Sequence, residues 1–314
     1  MNFRAFAILR ERICVMTKIR TLLEKQSVAG YIFIFPFIIG VSCFTLIPFA
    51  SSFYLAFTEY NVLSEAKWIG FDNFKKMFFE DDKFWISLWV TFKFAFFQVP
   101  IKLGFSLLVA LLLSRKSKAT GIFRTVFYIP SLMGGSVAVA ILWKQIFNYD
   151  GIINKVLGIF GFEPVGWLTD TRTALGVLIA LGVWQFGSCM LIFLAAIKNI
   201  PETYYEAARI DGGSKISCFF RITLPMITPV LFFNLINQLI GALQAFNSSF
   251  LITAGGPLNS TLYYGVHLYT RAFKYYEMGY GSAMAWFLLT IIGALTALVF
   301  KSSSAWVYYE TEVK

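Results

Sequence analysis

The longest stretch without a charged side chain sets the class of this chain. Residues 222–270 run for 49 positions with no Asp, Glu, Lys or Arg. A membrane-spanning helix needs about 20 mostly apolar residues, so this run exceeds one span. Gly255, Gly256 and Pro257 break it, which predicts a helix over about 222–248 followed by a loop. Other runs follow the same rule. Residues 26–58, 125–143, 173–197 and 278–300 carry no charge, and 84–114 carries only Lys93 and Lys102. Six spans result. The reading is all-α: a polytopic membrane helical bundle of six transmembrane helices.

Composition agrees with that reading. Only 14% of the residues are charged, 58% are hydrophobic and the mean hydropathy is +0.67. A soluble domain carries about 25% charged residues, so a soluble enzyme is excluded. The net charge of +10 does not imply nucleic acid, because cytoplasmic loops of membrane proteins collect Lys and Arg. With both termini inside, the inner segments 1–25, 115–124, 198–221 and 301–314 hold sixteen basic residues, against eight in 59–83, 148–172 and 271–277. Both termini are therefore expected in the cytoplasm. The organisation is a basic segment over 1–25, a membrane domain over 26–301 and a tail over 302–314. The basic segment reads as an anchor to anionic lipid.

The four cysteines form no CxxC, so neither zinc nor a disulfide is expected. The spans hold no Asp or Glu, and the single histidine, His267, falls in an aromatic stretch. An intramembrane enzyme would need converging acids and bases. A secondary transporter commonly uses intramembrane carboxylates. Both classes lose ground, and an ATP-independent transporter of a polar solute stays as the alternative.

One inner loop carries more information. Residues 198–225 contain Pro201, which suits a first helical turn, then Glu202 and Glu206 near the positive end of the macrodipole. Gly212 and Gly213 close the helix. A short surface helix between two spans follows, with Tyr204, Tyr205, Ala208 and Ile210 as contacts.

Its residues spell a pattern: Glu206-Ala207-Ala208, then Gly212, Ile222 and Leu224-Pro225. This resembles the EAA signature of ABC importer permeases, the binding-protein-dependent inner-membrane components, at every motif position. The resemblance extends along the chain. Tyr128-Ile129-Pro130, Gly151-Ile152-Ile153-Asn154, Thr253 with Gly255-Gly256-Pro257, Gly279-Tyr280-Gly281 and Trp306-Val307-Tyr308 are similar to segments of the carbohydrate-type members. The chain departs from many relatives at Asn247, where an acidic residue is common.

The resemblance implies a type I ABC importer permease fold. It implies that the loop helix couples to an ATPase dimer through Tyr205, Glu206, Ala207, Ala208, Gly212, Leu224 and Pro225. It also implies a second homologous permease subunit, an extracytoplasmic solute-binding protein and a bacterial or archaeal inner membrane. The chain has no GxxxxGK[ST], so ATP and Mg belong on the partner ATPase and no cofactor is expected here.

A substrate path is expected where polar groups line a span. In span five, 100° per residue puts Asn237, Gly241, Gln244 and Ser248 on one face, with Asn234 and Asn247 at its margins, and Gln238 and Asn247 are counted on the path. Trp286 is expected to add an aromatic face for a carbohydrate. Lys102 is a central charge in span two and suggests an electropositive cavity for an acidic saccharide.

Overall fold

The computed structural model describes residues 26–115 and 120–308. The basic segment 1–25 and the end of the tail lie outside the described residues. Among the described residues, four helices are long and apolar enough to cross a membrane: Phe33–Leu55, Asp82–Ser114, Lys215–Leu243 and Met278–Trp306. Two bent pairs bring the total to six if each pair counts as one span. The described fold is all helix apart from a two-stranded ribbon, β1 (Thr58–Glu59) antiparallel to β2 (Lys67–Trp68).

The first span is α1 (Gln26–Val41), a π-helical turn (Ser42–Leu46) and α2 (Ile47–Leu55). None of its apolar window is buried within the chain. The short α3 (Asp72–Phe79) is pinned below the ribbon, because the Asn73 amide donates to the carbonyls of Ala56 and Thr58 at 3.0 and 2.9 Å. Next comes α4 (Asp82–Ser114), 33 residues and about 50 Å at 1.5 Å per residue. It continues through Pro100 without breaking.

The third span is α5 (Thr120–Met133) and α6 (Val137–Ile146), bent by 102°. The straight helix expected over 125–143 is thus corrected. Gly134 and Gly135 supply no side chain to hold the helix, and Ser136 caps a new one by accepting from the Val139 N–H at 3.3 Å. A short α7 (Ile152–Ile159) follows. The fourth span is α8 (Ala174–Trp184) and α9 (Gly187–Asn199), bent by 43°. Gly187 lets α9 lie against the α5 backbone, since a Cβ there would overlap the Phe127 carbonyl oxygen.

The loop helix is α10 (Glu202–Ile210). Span five is α11 (Lys215–Cys218), a π-helical turn (Phe219–Thr223) and α12 (Leu224–Leu243). The helix expected to reach 248 stops at Leu243, and a second π-helical turn (Ser249–Thr253) follows an irregular stretch. Then come α13 (Tyr264–Tyr269), a π-helical turn (Thr270–Lys274) and the last span, α14 (Met278–Trp306).

The core forms around α4, which packs against α8, α9, α12 and α13. Phe94, Leu178, Met190, Phe193, Ile227 and Leu243 are buried there. In lipid such contacts gain dispersion from close packing, because lipid tails are already as apolar as Leu.

Candidate functional site

Three interruptions of three different spans meet at one place. A cavity of about 350 Å³ is lined by Gly134 and Gly135 from the α5–α6 break, Gln185 from the α8–α9 break, and Gln244 to Ser248 beyond the end of α12. That volume lies within the range of small-ligand sites. Irregular backbone within a membrane span is tolerated where it borders a cavity, because polar groups there meet water or ligand. The breaks also hold one another. The Gln185 amide donates to the Gly134 carbonyl at 3.1 Å, and a Cβ on Gly134 would overlap the Gln185 side chain.

Of the residues expected on a substrate path, the cavity brings together Lys102, Gln238, Gly241, Gln244, Asn247 and Ser248. Two lie elsewhere. The Asn237 amide donates to the Phe233 carbonyl at 2.8 Å, one turn back, and the side chain does not border the cavity. Asn237 and Gly241 lie on one unbroken stretch of α12, whose cavity side carries Gln238, Gly241 and Ala242, and the break after Leu243 shifts only Gln244 and the residues beyond it. Trp286 is also displaced. Its ring packs on Phe49 and Phe53, and its N–H donates to the Ser52 hydroxyl at 3.1 Å, so it ties span six to span one.

The sequence reading missed Phe94, Gln98, Gly134, Gly135, Gly182 and Gln185 as lining residues. A glycine pair in an uncharged run was the available signal for Gly134 and Gly135. Lys102 is the one charged residue on the wall. It makes no ion pair among the described residues. The rest of the polar wall is neutral amide and hydroxyl, able both to donate and to accept.

A second polar cluster is built differently. Asp81, at the head of α4, is 4% exposed. Its Oδ2 meets His267 Nε2 at 2.8 Å, accepts from the Tyr280 hydroxyl at 2.7 Å and pairs with Arg271 at 3.1 Å. Arg271 also reaches Glu277 at 3.4 Å, and Glu277 pairs with Lys76 at 2.9 Å. Burial pushes the Asp81 carboxyl up, but the hydrogen bonds from His267 and Tyr280, with Arg271 beside them, outweigh it and hold the group well below its ordinary range. His267 is therefore a buried brace joining α13 to the head of α4.

The third feature is α10. Its C-terminal end is a Schellman motif: the Gly213 N–H donates to the Ala208 carbonyl at 2.7 Å and the Gly212 N–H to the Arg209 carbonyl at 3.1 Å. Gly212 has φ +73°, a left-handed conformation that suits glycine. A Cβ on Gly213 would stand 2.7 Å from the Ala208 oxygen. Ala208 and Gly212 of the motif are thus two ends of one cap. Glu206 and Ala207 face solvent. Nearby apolar side chains stay uncovered: Ile210 is 87% exposed, Ile216 72% and Phe220 60%. Leu224 and Pro225 begin α12, with proline in its first turn.

The family model for the binding-protein-dependent transport system inner membrane component matches residues 102–309. The chain belongs to that family. Its members are transport components rather than enzymes, set in the membrane as multi-pass proteins. The probable ABC transporter permease protein YesP of Bacillus subtilis is 51% identical over 95% of this chain and 97% of its own length. The lactose transport system permease protein LacF of Rhizobium radiobacter is 34% identical over 89% and 95%. The arabinooligosaccharides transport system permease protein AraP of Bacillus subtilis is 31% identical over 91% and 92%. Among solved structures, a bacterial ABC transporter involved in the import of the acidic polysaccharide alginate matches with a TM-score of 0.80. It is 21% identical, and the match covers 92% of this chain and 99% of that one. At that identity the match establishes the fold.

Proposed function

We propose that this chain is the permease subunit of an ATP-driven importer and that a carbohydrate, best an oligosaccharide, passes through the cavity at the three helix breaks. The observation that carries the reading is the EAA pattern built as a capped surface helix between two spans, with Ile210, Ile216 and Phe220 uncovered beside it. An apolar patch of this kind suits a partner groove. The partner is an ATPase dimer that binds ATP and Mg, since this chain has no phosphate-binding loop. A second homologous permease completes the pathway. A solute-binding protein docks on the outer segments 59–83, 148–172 and 253–280, and both termini face the cytoplasm of a bacterium or archaeon. Permeases for lactose and arabinooligosaccharides among the relatives support the substrate class.

The cycle is alternating access. Closure of the ATPases moves α10, the spans tilt, and the cavity opens outward to take sugar from the binding protein. Hydrolysis resets the assembly and the sugar leaves inward. The neutral amides of Gln238, Gln244 and Asn247 suit sugar hydroxyls, and Phe246 offers an aromatic face. Lys102, on the wall and without an ion pair among the described residues, favours an acidic saccharide within that class.

Purification in mild detergent tests the assembly. Wild type is expected to bring down a second six-span protein and an ATPase, and Glu206→Lys to lose the ATPase while still inserting in the membrane. A chain that purified alone and transported in liposomes without ATP would replace this reading with the secondary transporter.

A further inference from the structure

We propose that the hydrogen bond between Tyr205 and Thr223 is the strut that carries motion of α10 into span five, and that both are positioning residues of the transport cycle. The inference rests on the reading of α10 as the ATPase-docking helix and goes beyond it by naming how movement leaves that helix.

The geometry is specific. The Tyr205 hydroxyl lies 2.9 Å from Thr223 Oγ1, and Thr223 is 5% exposed. The same Thr223 oxygen lies 3.5 Å from the Cys218 carbonyl, five residues back. A threonine hydroxyl has one proton. With that proton on Cys218, the Tyr205 O–H donates to Thr223. The Tyr205 ring packs on the main core.

The place of the bond matters as much as its length. Thr223 closes the π-helical turn Phe219–Thr223, whose wider ladder continues as the Leu224 N–H donates to the Phe219 carbonyl. Such turns often mark functional positions in helices. Directly above it, α12 rises as a single helix of 20 residues, about 30 Å long. Its far end is Leu243, and the next residues, Gln244 to Ser248, are cavity wall. Force applied at Thr223 therefore enters the foot of a rod whose head borders the cavity. The foot is also steadied from the tail, since the Tyr308 N–H donates to the Thr228 hydroxyl at 2.8 Å. The Tyr205–Thr223 hydrogen bond thus joins α10 to span five through side chains. The backbone through Gly212 and Gly213 joins them as well.

The test uses the assembled complex in lipid nanodiscs, with Ser248→Cys in every version as a cavity reporter. Labelling by a membrane-impermeant maleimide is measured with and without ATP, after subtraction of the signal from the parent without that cysteine. Thr223→Val, buried away from the docking surface, is expected to retain the ATPase subunit and its hydrolysis, and Tyr205→Phe, which removes only the hydroxyl, is compared with it at equal ATPase content. The ATP-dependent gain in labelling is expected to fall about fivefold, the effect of one hydrogen bond on an equilibrium. Thr223→Ser restores the hydroxyl and should restore the gain, and the double variant should be no worse than either single one. An unchanged gain in both single variants would overturn the proposal. So would parallel loss of the ATPase subunit from both, because the bond would then shape the docking surface rather than transmit from it. Failure of the underlying reading shows separately, as retention of the ATPase by Glu206→Lys.

Discussion

The cavity and the Asp81 cluster are both polar groups inside an apolar bundle, and they solve the problem in opposite ways. Around Asp81 one carboxylate oxygen meets His267, Tyr280 and Arg271, and the charges continue through Glu277 to Lys76. At the cavity Lys102 makes no ion pair among the described residues, and the amides of Gln238, Gln244 and Asn247 border open space. A closed network stabilises a structure. An open one costs stability and stays available to a ligand.

That contrast is breakable by experiment. The largest effect is expected at Asp81. Asp81→Ala leaves the buried His267 without its carboxylate and Arg271 with Glu277 alone, and should cost about 3–5 kcal/mol, read as a lower thermal unfolding midpoint of the detergent-solubilised protein. The same group sets an acid limit. Its folded-state titration lies below the ordinary value of 3.8, so its contribution is complete above that value and drains as pH falls through the lower folded one. A midpoint that falls on acidification below pH 3.8 in wild type, and falls less in Asp81→Asn, is expected. An identical acid response in both would remove Asp81 from the brace.

A smaller cost is expected at the breaks. Gly187→Ala pushes a methyl against the Phe127 carbonyl and should destabilise by about 1–3 kcal/mol. Transport should fall with it, because α5 and α9 flank two of the three interruptions. Smallest in stability is Lys102→Met, expected within about 1 kcal/mol of wild type or slightly above it, since it removes a half-buried charge that makes no ion pair among the described residues. Its effect belongs in transport: uptake of digalacturonate should drop while uptake of lactose persists. Equal uptake of both sugars in wild type and variant would end the acidic reading.

How much of this was legible in the chain depends on range. The six spans follow from gaps between charges, and the α10 cap follows from Glu206 to Gly213, because both are local. The bends at Gly134–Ser136 and at Gln185–Phe186 were hidden inside uncharged runs, where hydropathy reads a broken helix and a straight one alike. Asn237 lies off the wall on the unbroken part of α12, because a helical wheel groups residues into a face but does not say which edge of that face meets the neighbouring helices. Trp286 was misplaced because its partners, Phe49, Phe53 and Ser52, are over 230 positions away. His267 hid its role for the same reason, since Asp81 lies 186 positions upstream.

The cavity wall has one more property. Its irregular parts come from three separate stretches of chain, around Gly134, Gln185 and Gln244, each flanked by helices anchored on the unbroken α4. Gly134 and Gln185 hold each other, so their two sides of the chamber change together, whereas a substitution in the Gln244 stretch reshapes its own side and leaves α4 as the frame. A lineage with this architecture is expected to vary its chamber first along that third stretch, without passing through a chain that no longer folds.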